Sequence, residues 1–345
     1  MLWSGRDTEC HMGARVVWDS GIWGSRRFWL GMPPAGFTLI ILLVCSSVFL
    51  LGCKSHDYKA VSLEAGAPQP LVAGRGPQPI RLGLAPILSV QGGGEALAAL
   101  CQALSRRMDR SVVPLLGSDY REINDMLGLG QLDVGIVCAG AYADPRLNQV
   151  CEPLLVPLLI GSGNTYQSYI VVQEGNPGRS LEDLRGTSFE FTDSLSLTGY
   201  IYPVSRLCGL GQKPGTFFSS VGFSHSHDRS LFLVADGGVT AAAVDSSVFK
   251  VWRDRNPEEA KRLRVLERSK PFPSPPIVVE DQLPQKDKDA LRRAFLDLAD
   301  TQEGRAILQK IGWTGFQDPD NLWRTRMHYL SRLFGKLRAK NCLAS

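Results

Sequence analysis

No hydrophobic run in the 345-residue chain is long enough to span a bilayer: the longest, Phe37 to Gly52, has 16 residues where a spanning helix needs about 20. Charge of one sign is scarce too. Lys and Arg total 38 against 34 Asp and Glu, a net charge of +4, with no concentrated basic block. That argues against a phosphate-backbone grip on nucleic acid, which needs a concentrated basic face. No Cys-x-x-Cys pair is present, so a zinc ribbon is excluded. Gly-x-Ser-x-Gly, a phosphate-binding Gly-x-x-x-x-Gly-Lys-Ser/Thr loop and a dinucleotide Gly-x-Gly-x-x-Gly after a strand are absent as well. With no nucleophile–base pair in view, the chain does not read as an enzyme. His225-Ser-His227 has the spacing of a metal pair, because alternate residues of an extended segment face one side. No carboxylate or cysteine cluster completes it, so neither a metal nor a cofactor is expected.

What is present begins with a leader. Arg26 and Arg27 precede the apolar run, and Leu50-Leu51-Gly52-Cys53 closes it. This is the layout of a secretory signal, and the closing tetrapeptide resembles the lipobox of bacterial lipoproteins. The resemblance implies cleavage before Cys53 and lipidation there, giving residues 1–52 as leader and a body held at a membrane outside the cytoplasm. An uncleaved N-terminal anchor helix is the alternative. Residues 1–31, with four tryptophans and no periodicity, are unlike a signal n-region and suggest a later start at Met12 or Met32. Residues 53–78 mix Gly, Pro, Ala and polar residues as a flexible tether.

Five cysteines remain beyond it: Cys101, Cys138, Cys151, Cys208 and Cys342. An odd number at irregular spacing reads as buried small hydrophobes, with Cys138 and Cys151 the one pair worth testing for a bridge.

The body alternates strands and helices. Apolar strands are predicted at 80–84, 112–116, 132–138, 169–173, 189–191, 218–223 and 240–245. Helices are predicted at 95–107, 120–129, 181–186, 199–208 and 229–237, after a Gly-rich turn at Gln91 to Gly94. Continuous apolar strands separated by helices imply parallel, doubly covered sheets. Three helices close the chain near 284–297, 301–311 and 319–334, with Asp300 or Thr301 capping the second. Arg253, Arg255, Lys261 and Arg262 read as a solvated face, and Phe295 and Trp323 as packing.

The segment Phe191 to Pro203 carries the chemistry. A strand ends at Phe191, and Pro203 forces any following helix to start just before it. Its N-terminus then falls at Ser196, Leu197, Thr198 and Gly199, where unpaired N–H groups and two hydroxyls point the same way. That is an anion site, or else plain N-capping by a hydroxyl.

From about residue 80 to 315 the chain resembles the PhnD/SsuA/transferrin-like family of phosphonate, phosphite and phosphate binding proteins. The family run, roughly Phe-x-Asp-x-x-Ser-Thr-Ser-Gly-Tyr-x-x-Pro, is matched by Phe191, Asp193, Ser196, Thr198, Gly199, Tyr200 and Pro203, with Leu197 in place of the middle hydroxyl. His227 falls on the family's ligand-binding histidine, and Asp245 on a position that often faces the ligand. Tyr120 and Tyr166 fall where family tyrosines line the cleft, and Asp133 on a structural aspartate. Where some phosphonate binders hold an amino group with an acid, this chain has Ser274, Pro275 and Pro276, which argues against an aminoalkylphosphonate.

The resemblance implies an α/β, periplasmic-binding-protein-like (type II) two-lobed fold, each lobe a mixed sheet flanked by helices. Lobe 1 would comprise residues 79–165, lobe 2 residues 166–266, and residues 267–345 would return to lobe 1 and end in helices, with hinges near 166 and 267. It also implies the job: a monomeric, lipid-anchored binding protein that hands a small phosphorus oxyanion to an ABC permease. His227 would act as a charge-assisted donor when protonated. The alternative with the same fold is an extracytoplasmic ligand-sensing domain docked on a membrane receptor or kinase.

Overall fold

The computed structural model of the protein describes residues 78–87 and 90–343, with the side chains of 90–93 left out. The leader, Cys53 and the tether lie outside the described residues.

Strands in chain order are β1 Ile80–Leu84, β2 Val112–Leu116, β3 Val134–Ile136, β4 Cys151–Leu159, β5 Thr165–Tyr166, β6 Ser168–Gln173 and β7 Ser188–Phe191. They continue as β8 Ser220–Phe223, β9 Ala241–Asp245, β10 Leu263–Arg268, β11 Phe272–Pro273, β12 Ile277–Glu280 and β13 Trp313–Gln317. They form two main sheets, ordered β13-β4-β12-β3-β1-β2 and β10-β6-β9-β7-β8, one for each lobe of a type II periplasmic-binding-protein fold. A ribbon joins them: β5 and β11 pair antiparallel, Phe272 opposite Tyr166.

The wholly parallel sheets read from the apolar strands do not hold. Parallel pairing is confined to β1 with β2 and β3, and to β7 with β8 and β9. β4, β12 and β13 join the first sheet antiparallel, as β6 and β10 join the second. β4, β6, β10 and β12 flank the two crossings between the lobes, and β13 returns to the first sheet after two helices.

Two of the three terminal helices cover the first sheet, and the last packs on the short helix Ala139–Ala143 and on β11. Helix Gln285–Asp300 buries Leu291, Ala294, Phe295 and Leu298 at one-face spacing. Helix Gln302–Lys310 is capped by Thr301, whose hydroxyl accepts from Gly304 N. Helix Asn321–Ala339 buries Trp323, Met327, Leu330 and Phe334. The first helix, Val90–Met108, starts ahead of the glycines assigned to a turn. Among the described residues, no helix is long and apolar enough to cross a membrane.

The cysteine reading is corrected. Cys208 and Cys342 form a disulfide with Cα atoms 5.9 Å apart, while Cys101, Cys138 and Cys151 are buried thiols. The bonded pair is separated by 134 positions, and only the return of the chain through the last helix brings them together. Sequence spacing carries no trace of that.

Candidate functional site

Helices and turns begin where the parallel strands end, and the candidate residues gather at those starts, as ligand-binding groups do in open α/β sheets. After β7 the chain turns sharply. Asp193 Oδ1 accepts from Leu195 N at 2.7 Å, and Ser196 Oγ accepts from Gly199 N at 3.0 Å. Leu197–Ile201 then make one wide π-type helical turn before helix Tyr202–Gly209, with Pro203 in its first turn. So Ser196 is an N-cap, the plainer of the two sequence readings. Thr198 is different. Its carbonyl accepts from Ser168 Oγ at 2.5 Å, yet its buried hydroxyl has no hydrogen-bond partner among the described residues. Gly199 is required sterically, because a Cβ there would lie 2.4 Å from Thr192 Oγ1. Leu197, in place of the family's middle hydroxyl, is buried.

His227 opens helix His227–Ala235 and is 1 % exposed. Its Nδ1 accepts from Asp245 N at 3.2 Å and lies 3.0 Å from Thr192 Oγ1. With Nδ1 accepting, the ring proton belongs on Nε2. Burial pushes its pKa down to about 3, against a smaller upward pull from Asp228. The charged-donor role is therefore corrected: His227 is a neutral imidazole, and any donation comes from Nε2. His225, by contrast, is exposed at φ 61°, so the two rings of the His-x-His pair do not share a face. No group of three or more metal-ligating side chains occurs among the described residues.

Asp245 ends β9 and caps helix Ser246–Arg255. Its Oδ1 accepts from Ser247 N at 2.7 Å, Ser247 Oγ at 2.6 Å and Val248 N at 3.3 Å. Burial raises its pKa to about 6, with those three bonds opposing. Its contact with His227 runs through the backbone amide rather than the carboxylate.

The first lobe supplies Tyr120, at the start of helix Tyr120–Gly128, and the ribbon that joins the lobes supplies Tyr166, on β5. Both are buried, and burial, with Cys138 and Asp245 nearby, pushes both phenols well above their usual range. Tyr166 Oη lies 3.9 Å from Cys138 Sγ. Tyr120 Oη faces the Ser196 side chain but makes no hydrogen bond of ordinary geometry among the described residues.

The lobes touch at this point. The backbone N–H of Tyr120 donates to Asp193 Oδ2 at 3.1 Å, and His227 N donates to Ile87 O at 3.3 Å. A Cβ on Gly140 would come 2.3 Å from Leu195 O, so only glycine permits that approach. Thr192, Asp193, Ser168 and Gly140 were not among the residues singled out for the site. Asp193 stood in the quoted motif without a role. The other three act through backbone or positioning contacts that leave no pattern. Asp133, read as structural, pairs with Arg81 at 2.7 Å, away from the cluster.

Comparison with known proteins gives a consistent result. The family model described as "ABC transporter, phosphonate, periplasmic substrate-binding protein" matches residues 82–323. The phosphonates-binding periplasmic protein of Escherichia coli (strain K12) is 25% identical over 229 residues, covering 64% of this chain and 66%, just under two thirds, of its own length. A binding-protein component of an ABC phosphonate transporter from Pseudomonas aeruginosa superposes with a TM-score of 0.68 at 20% identity, over 76% of this chain and 94% of its own. A protein from Prochlorococcus marinus (MIT 9301), solved in complex with methylphosphonate, gives 0.67 at 18% identity, over 76% and 99%. At these identities the two structures establish the fold.

Proposed function

The chain belongs to the family of periplasmic substrate-binding proteins of ABC phosphonate transporters, and we propose that it captures a phosphorus oxyanion, whether phosphonate, phosphite or phosphate, by closing its two lobes. One observation carries this reading. Two buried hydroxyls from opposite lobes, Thr198 Oγ1 and Tyr120 Oη, are left without hydrogen bonds where the lobes meet. A buried polar group without a partner costs about 1–3 kcal/mol, and an oxyanion held between the lobes relieves both at once. The N–H groups at the start of the turn, the neutral Nε2–H of His227 and the phenol of Tyr166 complete a set of donors suited to oxyanion oxygens.

In this reading the chain crosses between lobes twice, with the paired β5–β11 ribbon as hinge. Lobe 1 takes in residues 79–165 with the return 267–345, and lobe 2 residues 166–266. Lipid at Cys53 holds the body outside the cytoplasm, and the closed form, as a monomer, is presented to the permease of an ABC importer.

The test is thermal unfolding of the purified protein with phosphite, methylphosphonate, aminoethylphosphonate, phosphate and sulfate. A ligand at 100 times its dissociation constant stabilises by about 2.7 kcal/mol. A clear shift with one phosphorus oxyanion and none with sulfate is expected. A flat panel would remove the reading.

A further inference from the structure

Beside the oxyanion cluster lies a cavity of about 70 Å³ whose lining is almost wholly apolar. Leu97, Leu100 and Ile136 wall it from the first lobe, Val248 and Val251 from helix Ser246–Arg255, and Trp313 from β13. It meets the oxyanion cluster at Asp245, whose backbone amide is bonded to His227.

The polar side chains that line it are Asp245, Ser247 and Ser274, and each already has hydrogen-bonding work elsewhere. Ser274 Oγ donates to Pro157 O at 2.8 Å. Ser247 Oγ donates to Asp245 Oδ1 at 2.6 Å, an oxygen that takes two backbone N–H groups as well. No lysine, arginine or second carboxylate is among the described lining residues. An ammonium group would be desolvated here by apolar walls with a single carboxylate to face it, one whose Oδ1 already caps a helix, which is costly. An inorganic oxyanion would leave the apolar walls without a partner.

We infer that this cavity is the subsite for the carbon substituent of the bound oxyanion, and that the substrate is a phosphonate with a short, unbranched, uncharged chain of about two to four carbons. The inference rests on the phosphonate reading above and narrows it. In a phosphonate the P–C bond points away from the three oxygens, so oxygens held at the Thr198 turn can leave the substituent free to enter the apolar space. Size sets the length: a cavity of roughly 150 Å³ takes a benzene ring, and this one is about half that.

Calorimetric titration of the purified protein at one pH tests it, using phosphite and methyl-, ethyl-, propyl-, phenyl- and 2-aminoethylphosphonate. Burial of each methylene tightens binding about fourfold. The expected series is methyl weaker than ethyl, and ethyl weaker than propyl, by about that factor. Phenyl should gain nothing over propyl, and aminoethyl should bind at least tenfold more weakly than propyl. A flat series from methyl to propyl, or aminoethylphosphonate binding tightest, overturns the subsite while leaving the phosphonate reading in place. Binding of phosphite but of no phosphonate overturns the subsite and keeps the oxyanion reading, and no binding of either overturns both. In Val251→Phe, which fills the cavity from the helix side, the propyl-over-methyl ratio is expected to fall below twofold. An unchanged ratio in a folded variant also overturns the subsite.

Discussion

The backbone N–H of Tyr120 donates to the carboxylate of Asp193 across 3.1 Å and 73 positions of sequence, joining the helix start after β2 to the turn after β7. Because the same carboxylate also accepts from Leu195 N at 2.7 Å, one side chain both shapes the Ser196–Gly199 turn and pins it to the opposite lobe. Asp193→Ala leaves two buried N–H groups without acceptors. The expected loss is about 1–3 kcal/mol for each, read as a lower urea midpoint. A larger radius of gyration in small-angle scattering should accompany it, since the tie between the lobes is gone.

A second tie is covalent. Helix Tyr202–Gly209 follows the site turn directly, and its Cys208 is bonded to Cys342 beyond the last helix. Closing so long a loop stabilises typically by about 2–5 kcal/mol. Cys342→Ser should therefore lower the urea midpoint, and reductant should lower that of the wild type to match while leaving the variant unchanged. A reductant effect that persists in Cys342→Ser would contradict the assignment.

Acid stability separates the two buried titrating groups, because their shifts run in opposite directions. His227, held near 3 instead of 6.5, is protonated first in the unfolded chain. Its contribution is full above about pH 6.5 and is lost as pH falls toward 3. Asp245, raised from 3.8 to about 6, contributes fully below 3.8 and loses that contribution as pH rises through 6. Each slope is at most about 1.4 kcal/mol per pH unit. Relative to wild type, His227→Gln should gain stability as pH drops from 6.5 to 4, and Asp245→Asn should gain as pH climbs from 4 to 6. Urea midpoints at pH 4, 5, 6 and 7 read both, and differences of the same sign would refute the two environments.

Much of this arrangement is legible in the sequence, for physical reasons that also set the limits. β1 to β3 are short apolar runs between helices of clear period, so their existence and order can be read directly. β4 cannot: Pro153 and Pro157 interrupt it, and its pairing with β12 slips beside Pro153. Helix Ser246–Arg255 hides behind Arg253 and Arg255, which are indeed exposed, while Val248, Phe249 and Trp252 are buried beneath. At the site, strand-end hydroxyls and the Pro203 boundary mark the turn. That His227 is neutral depends on burial by residues far off in sequence, and the 134-position disulfide depends on the path of the whole chain.

Thr198 offers the sharpest test of what the cluster is for, because stability and binding should respond oppositely. Its hydroxyl is buried without a partner, so Thr198→Val removes a polar group that the ligand-free protein does not use. Valine has the same branched shape, and exchanging an unsatisfied hydroxyl for a methyl stabilises the unliganded fold by about 1 kcal/mol or leaves it unchanged. If the hydroxyl donates to a bound oxyanion, the same change weakens binding by about 1–3 kcal/mol. Tyr120→Phe should behave alike from the other lobe, since its buried hydroxyl also lacks a hydrogen bond of ordinary geometry. The measurement is paired: a urea midpoint without ligand and a calorimetric affinity for whichever phosphonate binds best. Equal losses in both would mean the hydroxyls serve the fold. A held or raised midpoint with weakened binding assigns them to the ligand.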